Sequence, residues 1–330
     1  MGTSTTATQG IDPGGQIPSF KYTWVERLKK GDEVTHLITL AAAFSIILIT
    51  ALLVWQLWSG SKLPRHAFGW HFFTTSSWDP ISRDFGALTF IYGTVLTSAI
   101  GLVIAVPLGL GAAIFLAELA PRKISDTLTF LIELLAAVPS VIYGLIGIFV
   151  LIPILSNFVV PVLKKALGFL PIFSGPFYGV SYFSAGVILS LMIVPFIVSI
   201  SREVLLAVPN SQREAMLALG ATKWDVTWRA VLPYARRGIA GSIFLALARA
   251  LGETMAVTMV IGNVAQIKVS LLAPGYTIAA VIANEFTEAT GDLYLQSLIE
   301  LGLVLFLVTM IINALARVLM LTMGSHEVSE

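Results

Sequence analysis

Two charged residues, Arg249 and Glu253, lie in a segment that is otherwise apolar enough to span a membrane. In a continuous α-helix this spacing places both side chains on one face, about 6 Å apart along the axis. A charge at membrane depth costs on the order of 3 kcal/mol, so such groups normally face a protein interior or a water-filled path. The pair therefore predicts a functional site on a pathway, with an ion pair that only holds helices together as the alternative.

The composition indicates that this segment is surrounded by a membrane. Of the 330 residues, 56% are hydrophobic and only 12% are charged, and the mean hydropathy is +0.87. A soluble domain is less apolar and carries more charge. The chain has no cysteine, which excludes disulfides, thiolate metal ligands and cysteine nucleophiles. We therefore expect an all-α, polytopic membrane protein.

Six apolar segments are long enough to cross a bilayer as helices. They are residues 34–58, 88–117, 128–154, 182–208, 238–261 and 293–321. They predict a transmembrane domain over residues 34–322, between an N-terminal tail (1–33) and a C-terminal tail (323–330). Most of the 20 lysines and arginines lie on the side of the two tails, so the positive-inside rule predicts that both termini are cytoplasmic.

Two further carboxylates, Glu133 and Glu300, fall near the predicted starts of the third and sixth helices. The helix dipole favours a negative charge at that end, so we expect structural roles for both. The four histidines form no His-Glu-x-x-His or similar motif, and we therefore expect no metal site.

The largest loop on the predicted cytoplasmic side, residues 209–237, begins with the signals of a short helix. Ser211 followed by Glu214 is typical of a capping box, in which each side chain binds a free backbone amide at the helix start. Gly220 can adopt the left-handed conformation that ends such a helix and turns the chain.

A second short helix is predicted in the same loop. Thr222 with Asp225 can start it, and Pro233 interrupts regular hydrogen bonding further along. It carries the large apolar side chains of Trp224 and Trp228. Such a surface predicts either a protein partner or an amphipathic element that lies on the bilayer.

The loop resembles the EAA loop of binding-protein-dependent ABC importer permeases. The shared residues are Glu214-Ala215-Met216, Gly220 and Leu232-Pro233, although Met216 replaces the usual second alanine and Ala230 stands where a larger aliphatic residue is common. The resemblance implies a type I importer permease fold, in which residues 211–228 dock on a cytosolic ATPase. It assigns this coupling to Ser211, Glu214, Ala215, Gly220, Trp224, Leu232 and Pro233, and it favours a protein partner over the bilayer surface.

A second run resembles one family within these permeases, the phosphate permeases called PstC. It extends from Arg249 to Val257 and is followed by Ile261-Gly262-Asn263, with support from residues 106–109, 118–121 and 136–144. Molybdate and sulfate permeases share the glycine and glutamate, but the continuation Thr254-Met255-Ala256-Val257 is typical of PstC. The resemblance implies transport roles for Arg249 and Glu253. It also implies four partner subunits: a PstA-like second permease, two PstB-like ATPases and an extracellular PstS-like phosphate-binding protein.

Phosphate suits these residues chemically. Its negative oxygens fit the planar guanidinium fork that Arg249 would supply. Glu253 could pair with Arg249 in an empty pathway, or accept a hydrogen bond from the proton that phosphate keeps and sulfate lacks. Thr254 and Asn263 could bind the substrate or a neighbouring helix.

The chain contains no Gly-x-x-x-x-Gly-Lys-Ser/Thr motif, so it cannot hydrolyse ATP by that route. We expect a non-catalytic subunit of the bacterial inner membrane that contacts lipid, holds no cofactor, uses ATP through its ATPase partners and binds no nucleic acid. The alternatives are a molybdate or sulfate permease, a channel or scaffold, and an ion-coupled phosphate or oxyanion transporter in which Arg249 and Glu253 form a relay.

Overall fold

A computed structural model describes residues 32–324. The chain divides into two compact units at Trp55. The described part of the first unit, residues 32–55, is helical, and nearly all side chains of residues 34–55 are exposed. The second unit begins at Gln56 and contains every other described element.

The described residues are mainly helical. In chain order, the helices are α1 (Asp32–Gly60), α2 (Lys62–Ala67), α3 (His71–Thr74), α4 (Leu88–Leu119), α5 (Arg122–Ala136), α6 (Ser140–Leu167), α7 (Tyr182–Leu206), α8 (Asn210–Ala218), α9 (Lys223–Leu251), α10 (Met255–Ile261), α11 (Ile278–Glu285) and α12 (Asp292–Gly324). Helices α4, α6 and α9 each include short π-helical stretches. Strands β1 (Trp78–Asp79) and β2 (Asp84–Phe85) form an antiparallel hairpin before α4, in which Trp78 pairs with Phe85.

Five of the described helices are long and apolar enough to cross a membrane, namely α1, α4, α6, α7 and α12. A sixth crossing is formed if α9 and α10 count as one span, which is bent by 63° where the two helices meet. The all-α class and the approximate number of six spans, both predicted from composition and segment length, are confirmed.

The centre of the second unit is the pair α4 and α7. Leu189, Ile193 and Ile197 recur every fourth residue along α7 and are fully buried. The helices approach closely because Gly109 of α4 lies against Ile197, where an added Cβ would come within 2.8 Å of that side chain. Lipid is as apolar as leucine, so close packing rather than removal from water holds such helices together.

The predicted third span, residues 128–154, is wrong at both ends. Residues 128–136 belong to α5, an amphipathic helix with exposed apolar side chains such as Phe130 and Leu134. The chain breaks before Pro139, because proline disfavours a helical conformation in the residue that precedes it. The crossing helix α6 then begins at Ser140 and continues to Leu167. Hydropathy alone did not separate an amphipathic helix from the span that follows it.

The predicted positions of Glu133 and Glu300 near helix starts are also wrong. Glu133 lies in the last turn of α5 and is exposed. Glu300 lies in the third turn of α12 and is only 2% exposed. The dipole at a helix N-terminus therefore accounts for neither carboxylate.

Candidate functional site

The segment that carries Arg249 and Glu253 is not one helix. Helix α9 ends at Leu251, and α10 begins at Met255 after a three-residue break. Arg249 lies in the last turn of α9, whereas Glu253 lies in the break. The predicted placement of both residues on one continuous helical face is therefore wrong. Gly252, a poor helix former, stands where the helix ends.

Arg249 is exposed on the surface of the chain, and its guanidinium carbon lies 4.2 Å from the centre of the Phe196 ring of α7. Such a cation–π contact stabilises the charge through the ring face. None of the ion pairs among residues 32–324 joins Arg249 to Glu253. Tyr143 of α6 lies within electrostatic range of Arg249, and its hydroxyl donates to the Leu135 carbonyl at 2.8 Å.

Glu253 caps α10. Its Oε1 accepts a hydrogen bond from the Ala256 backbone amide at 3.3 Å, which satisfies one of the free amides at that helix start. A carboxylate is also favoured there by the helix dipole. Thr254, beside it, donates through its hydroxyl to the Gly252 carbonyl at 3.3 Å. Both side chains thus bind the local backbone of the break.

Asn263 lies beyond the other end of α10. It follows Gly262 and has a positive φ of 53°, a conformation that asparagine tolerates better than most residues. Its Nδ2 donates to the Thr258 carbonyl at 3.1 Å. Glu253 and Asn263 therefore hold opposite ends of α10, and the structure does not bring the four predicted pathway residues into one cluster.

Helix α9 presents an uncovered face that includes Arg249. Tyr234, Leu245 and Arg249 are all exposed, and an added Cβ on Gly241 would meet no atom within 4 Å. These residues recur at intervals of seven, four and four, which is one side of a helix. The adjoining helix α10 is packed tightly, with Val257 and Val260 buried. The uncovered face of α9 thus ends next to a well-packed helix.

The loop 209–237 contains the short helix α8 and the start of the long helix α9, and α8 does not start as predicted. Helix α8 begins at Asn210 after Pro209, and no side chain caps it. Ser211 is already inside the helix, so the Ser211–Glu214 capping box is wrong. The fixed φ of Pro209 suits the residue just before a helix, and the helix therefore starts two residues earlier than the box requires.

The prediction that Pro233 ends a second short helix is wrong, because the chain takes a π-helical turn at Thr227–Val231 and α9 then continues through the proline to Leu251. Two other signals in this loop are confirmed. Gly220 has a φ of +81° and turns the chain after α8. Thr222 and Asp225 form a complete capping box at the start of α9, with the Thr222 hydroxyl 2.6 Å from the Asp225 carboxylate. Local hydrogen bonding determines both features, which is why neighbouring residues were sufficient to predict them.

The loop exposes several predicted coupling residues together. Trp224 and Trp228 are each about half exposed, and their rings meet edge to face at 5.6 Å. Ala215 of α8 and Pro233 of α9 line a shared groove of about 570 Å³. Glu214 is exposed, and Leu232 is partly buried at the base of the loop.

Sequence reasoning missed one charged pair at this end of the molecule. Arg213 of α8 binds Glu118 at the end of α4, with Nη2 and Oε1 2.8 Å apart. Both side chains are largely buried, at 17% and 10% exposure. The two residues are 95 positions apart, so spacing could not reveal the pair. The only feature of the sequence that pointed to this pair was the position of Glu118 at the end of an uncharged span.

The chain is similar to known proteins over the helices and the loop described above. Residues 105–323 match the model of the family described as binding-protein-dependent transport system inner membrane component. The phosphate transport system permease protein PstC of Mesorhizobium japonicum is 48% identical over 306 residues, which cover 92% of this chain and 94% of that protein. The PstC protein of Xylella fastidiosa strain 9a5c is 46% identical over 88% of this chain and 90% of its own length.

The chain belongs to the PstC permease family. The loop 209–237 and the break between α9 and α10 both lie inside the matched family region. Among solved structures, a bacterial ABC transporter involved in the import of the acidic polysaccharide alginate has a TM-score of 0.59 and covers 92% of this chain and 99% of its own. At 15% identity that likeness supports the fold alone. PstC family membership and this likeness together confirm the predicted importer permease fold.

Proposed function

We propose that this chain is the permease subunit of an ATP-driven importer of inorganic phosphate and forms half of its translocation pathway. The observation that carries the proposal is the Arg249 guanidinium, which is exposed at a helix break and forms no ion pair among the described residues. The curated relatives are named phosphate transport permeases, which supports phosphate rather than another anion as the substrate.

Arg249 is suited to transient binding of an oxyanion. Phe196 contacts the face of the guanidinium, which leaves its N–H groups at the edge free to donate. A phosphate oxygen pair fits that edge in the bidentate manner typical of arginine. A single guanidinium gives modest affinity, and a pathway requires this because a tightly held ion is not released.

Glu253 contributes to the same site in a second way. Its Oε1 is engaged by the Ala256 amide, while its Oε2 has no hydrogen bond among the described residues. That oxygen can accept a hydrogen bond from the proton of monohydrogen phosphate, which fully ionised sulfate does not carry. Thr254 shapes the break and Asn263 shapes the far end of α10 through hydrogen bonds to the backbone, and both line the path without contacting the charge.

The remaining surfaces suit the partners of such an importer. The uncovered face of α9 fits a second, PstA-like permease that closes the other half of the pathway. The exposed tryptophans and the groove of loop 209–237 fit one of two PstB-like ATPases, which hydrolyse ATP for a chain with no ATPase motif of its own. In this arrangement both termini are cytoplasmic in the bacterial inner membrane, and a PstS-like protein delivers phosphate from outside.

Phosphate uptake by vesicles that contain the complete complex tests the proposal. We expect uptake to stop when ATP is replaced by a non-hydrolysable analogue and to continue when a protonophore removes the proton gradient. The opposite pattern would identify an ion-coupled transporter. Competition by molybdate or sulfate at equal concentration, with no preference for phosphate, would reject phosphate as the substrate.

A further inference from the structure

Helix α8 is weakly packed against the rest of the chain. It is nine residues long and contributes no fully buried side chain. Met216, which is partly buried, packs against the cluster formed by residues such as Val226 and Val231. An element held by so few apolar contacts needs another attachment if it is to transmit force.

Arg213 supplies this attachment, because it binds two other helices, α4 and α7, at once. Its Nη2 binds Glu118 at the end of α4 and also donates to the Leu205 carbonyl in the last turn of α7, both at 2.8 Å. Its Nη1 donates to the Val208 carbonyl, just beyond α7. Carbonyls at a helix C-terminus lack partners within the helix, so the guanidinium satisfies them while it neutralises the carboxylate.

The Arg213–Glu118 pair differs from the other ion pairs of residues 32–324. The Arg229–Asp225 pair joins neighbouring turns of one helix at 3.8 Å, with both side chains well exposed. The Arg202–Asp126 pair spans 3.6 Å, and its aspartate is 64% exposed. Solvent weakens such pairs, whereas a buried, doubly bonded guanidinium–carboxylate pair has a defined geometry.

We propose that Arg213 and Glu118 are positioning residues that make α8 move as one body with the ends of α4 and α7. This inference rests on the proposed function, because it assigns the path by which ATPase motion reaches the crossing helices. Without the pair, α8 still binds the ATPase through its exposed surface, but its displacement is no longer passed to α4 and α7.

Single neutral variants, Glu118→Gln and Arg213→Gln, test the inference in the reconstituted complex. The matched control is Asp126→Asn, which removes the ion pair with Arg202, lies outside the loop 209–237 and changes a side chain that is 64% exposed. We expect ATPase copurification to stay within about twofold of wild type in all three variants. Phosphate transported per ATP hydrolysed should fall about tenfold or more in Glu118→Gln and Arg213→Gln but not in the control. The reason is that removing one partner of a buried ion pair costs far more than breaking an exposed pair.

A cross-linking experiment covers the case in which a neutral variant folds poorly. The chain has no native cysteine, so Glu118→Cys with Arg213→Cys introduces the only two thiols. We expect this double variant to be uncoupled, a short bis-thiosulfonate reagent to restore transport per ATP, and a reductant to reverse the effect.

Three outcomes would overturn the inference: wild-type transport per ATP in both neutral variants, a parallel loss of uptake and hydrolysis with an unchanged ratio, or no recovery on cross-linking. Failure of the proposed function is separate and visible in the wild-type complex. In that case, uptake does not depend on ATP before any residue is changed.

Discussion

Arg249 and Glu253 have different roles in the structure although they are four residues apart in the sequence. The guanidinium is exposed over Phe196, while the carboxylate caps α10. An ion pair whose only purpose is neutralisation requires the two groups to meet, and none of the described ion pairs joins them. This geometry favours separate contributions of Arg249 and Glu253 to one site.

Replacing Arg249 tests the substrate role directly. We expect Arg249→Gln to reduce phosphate uptake at subsaturating phosphate by at least about tenfold, because each charge-assisted hydrogen bond contributes about 1.5–3 kcal/mol. Assembly and ATPase retention should be unchanged, since the side chain makes no ion pair within residues 32–324. Uptake by vesicles and copurification measure the two quantities.

Removing both charges distinguishes a substrate role of Arg249 from mutual neutralisation with Glu253. If Arg249 and Glu253 only compensate each other, the double variant Arg249→Gln with Glu253→Gln should transport phosphate normally. Wild-type uptake by this double variant would reject the substrate role of Arg249, and so would high activity after exchange of the two residues.

Glu253 permits a selectivity prediction. Glu253→Gln retains a side-chain oxygen that can cap α10, so the fold should be kept, but the amide also presents donors where the carboxylate only accepts. We expect phosphate uptake to fall modestly and sulfate uptake to rise relative to phosphate. Parallel uptake of the two labelled anions measures the ratio, and an unchanged ratio would limit Glu253 to its capping role.

At the scale of elements, the turn at Gly220 provides the clearest prediction. Gly220 has a φ of +81°, and an added Cβ would meet no atom within 4 Å. Gly220→Val should therefore act through backbone strain alone, at about 1 kcal/mol or more. We expect an inserted protein whose complex loses transport-coupled ATP hydrolysis, as measured by phosphate-stimulated ATPase activity.

Gly220→Asn is the matched control, because asparagine adopts the left-handed conformation at lower cost. It should keep most of the stimulated activity. Equal activity in the valine and asparagine variants would show that the conformation of this turn is not needed for coupling.

The elements also show what the sequence can predict. Gly220 and the Thr222–Asp225 box were predictable because their partners lie within a few residues. The failed Ser211–Glu214 box shows the limit of such signals, since the preceding Pro209 shifts the helix start. The bend between α9 and α10 was missed because hydropathy averages over a break of three residues.

For the whole molecule, the approximate number of crossings followed from composition and segment length, because apolar length determines what can span a bilayer. The permease fold followed from the resemblance of the loop 209–237 to the EAA loop. Contacts between distant segments did not follow. The Arg213–Glu118 pair and the packing of Gly109 against Ile197 depend on how α4 and α7 meet, which one sequence does not contain. The predicted orientation of the termini remains a prediction.

Subunit composition is the prediction that belongs to the whole molecule. The chain has one loop of the 209–237 type and one uncovered face on α9, so a complete pathway with two ATPase docking sites requires a second permease. We expect native mass measurement of the purified complex to give one copy of this chain, one PstA-like permease and two ATPases.

Leu245→Arg, which places a charge on the uncovered face, should release the second permease while leaving α8 folded, because a charge opposed to an apolar partner surface is costly to bury. A stable, ATP-driven homodimer of this chain would contradict the assignment of that face to a different permease.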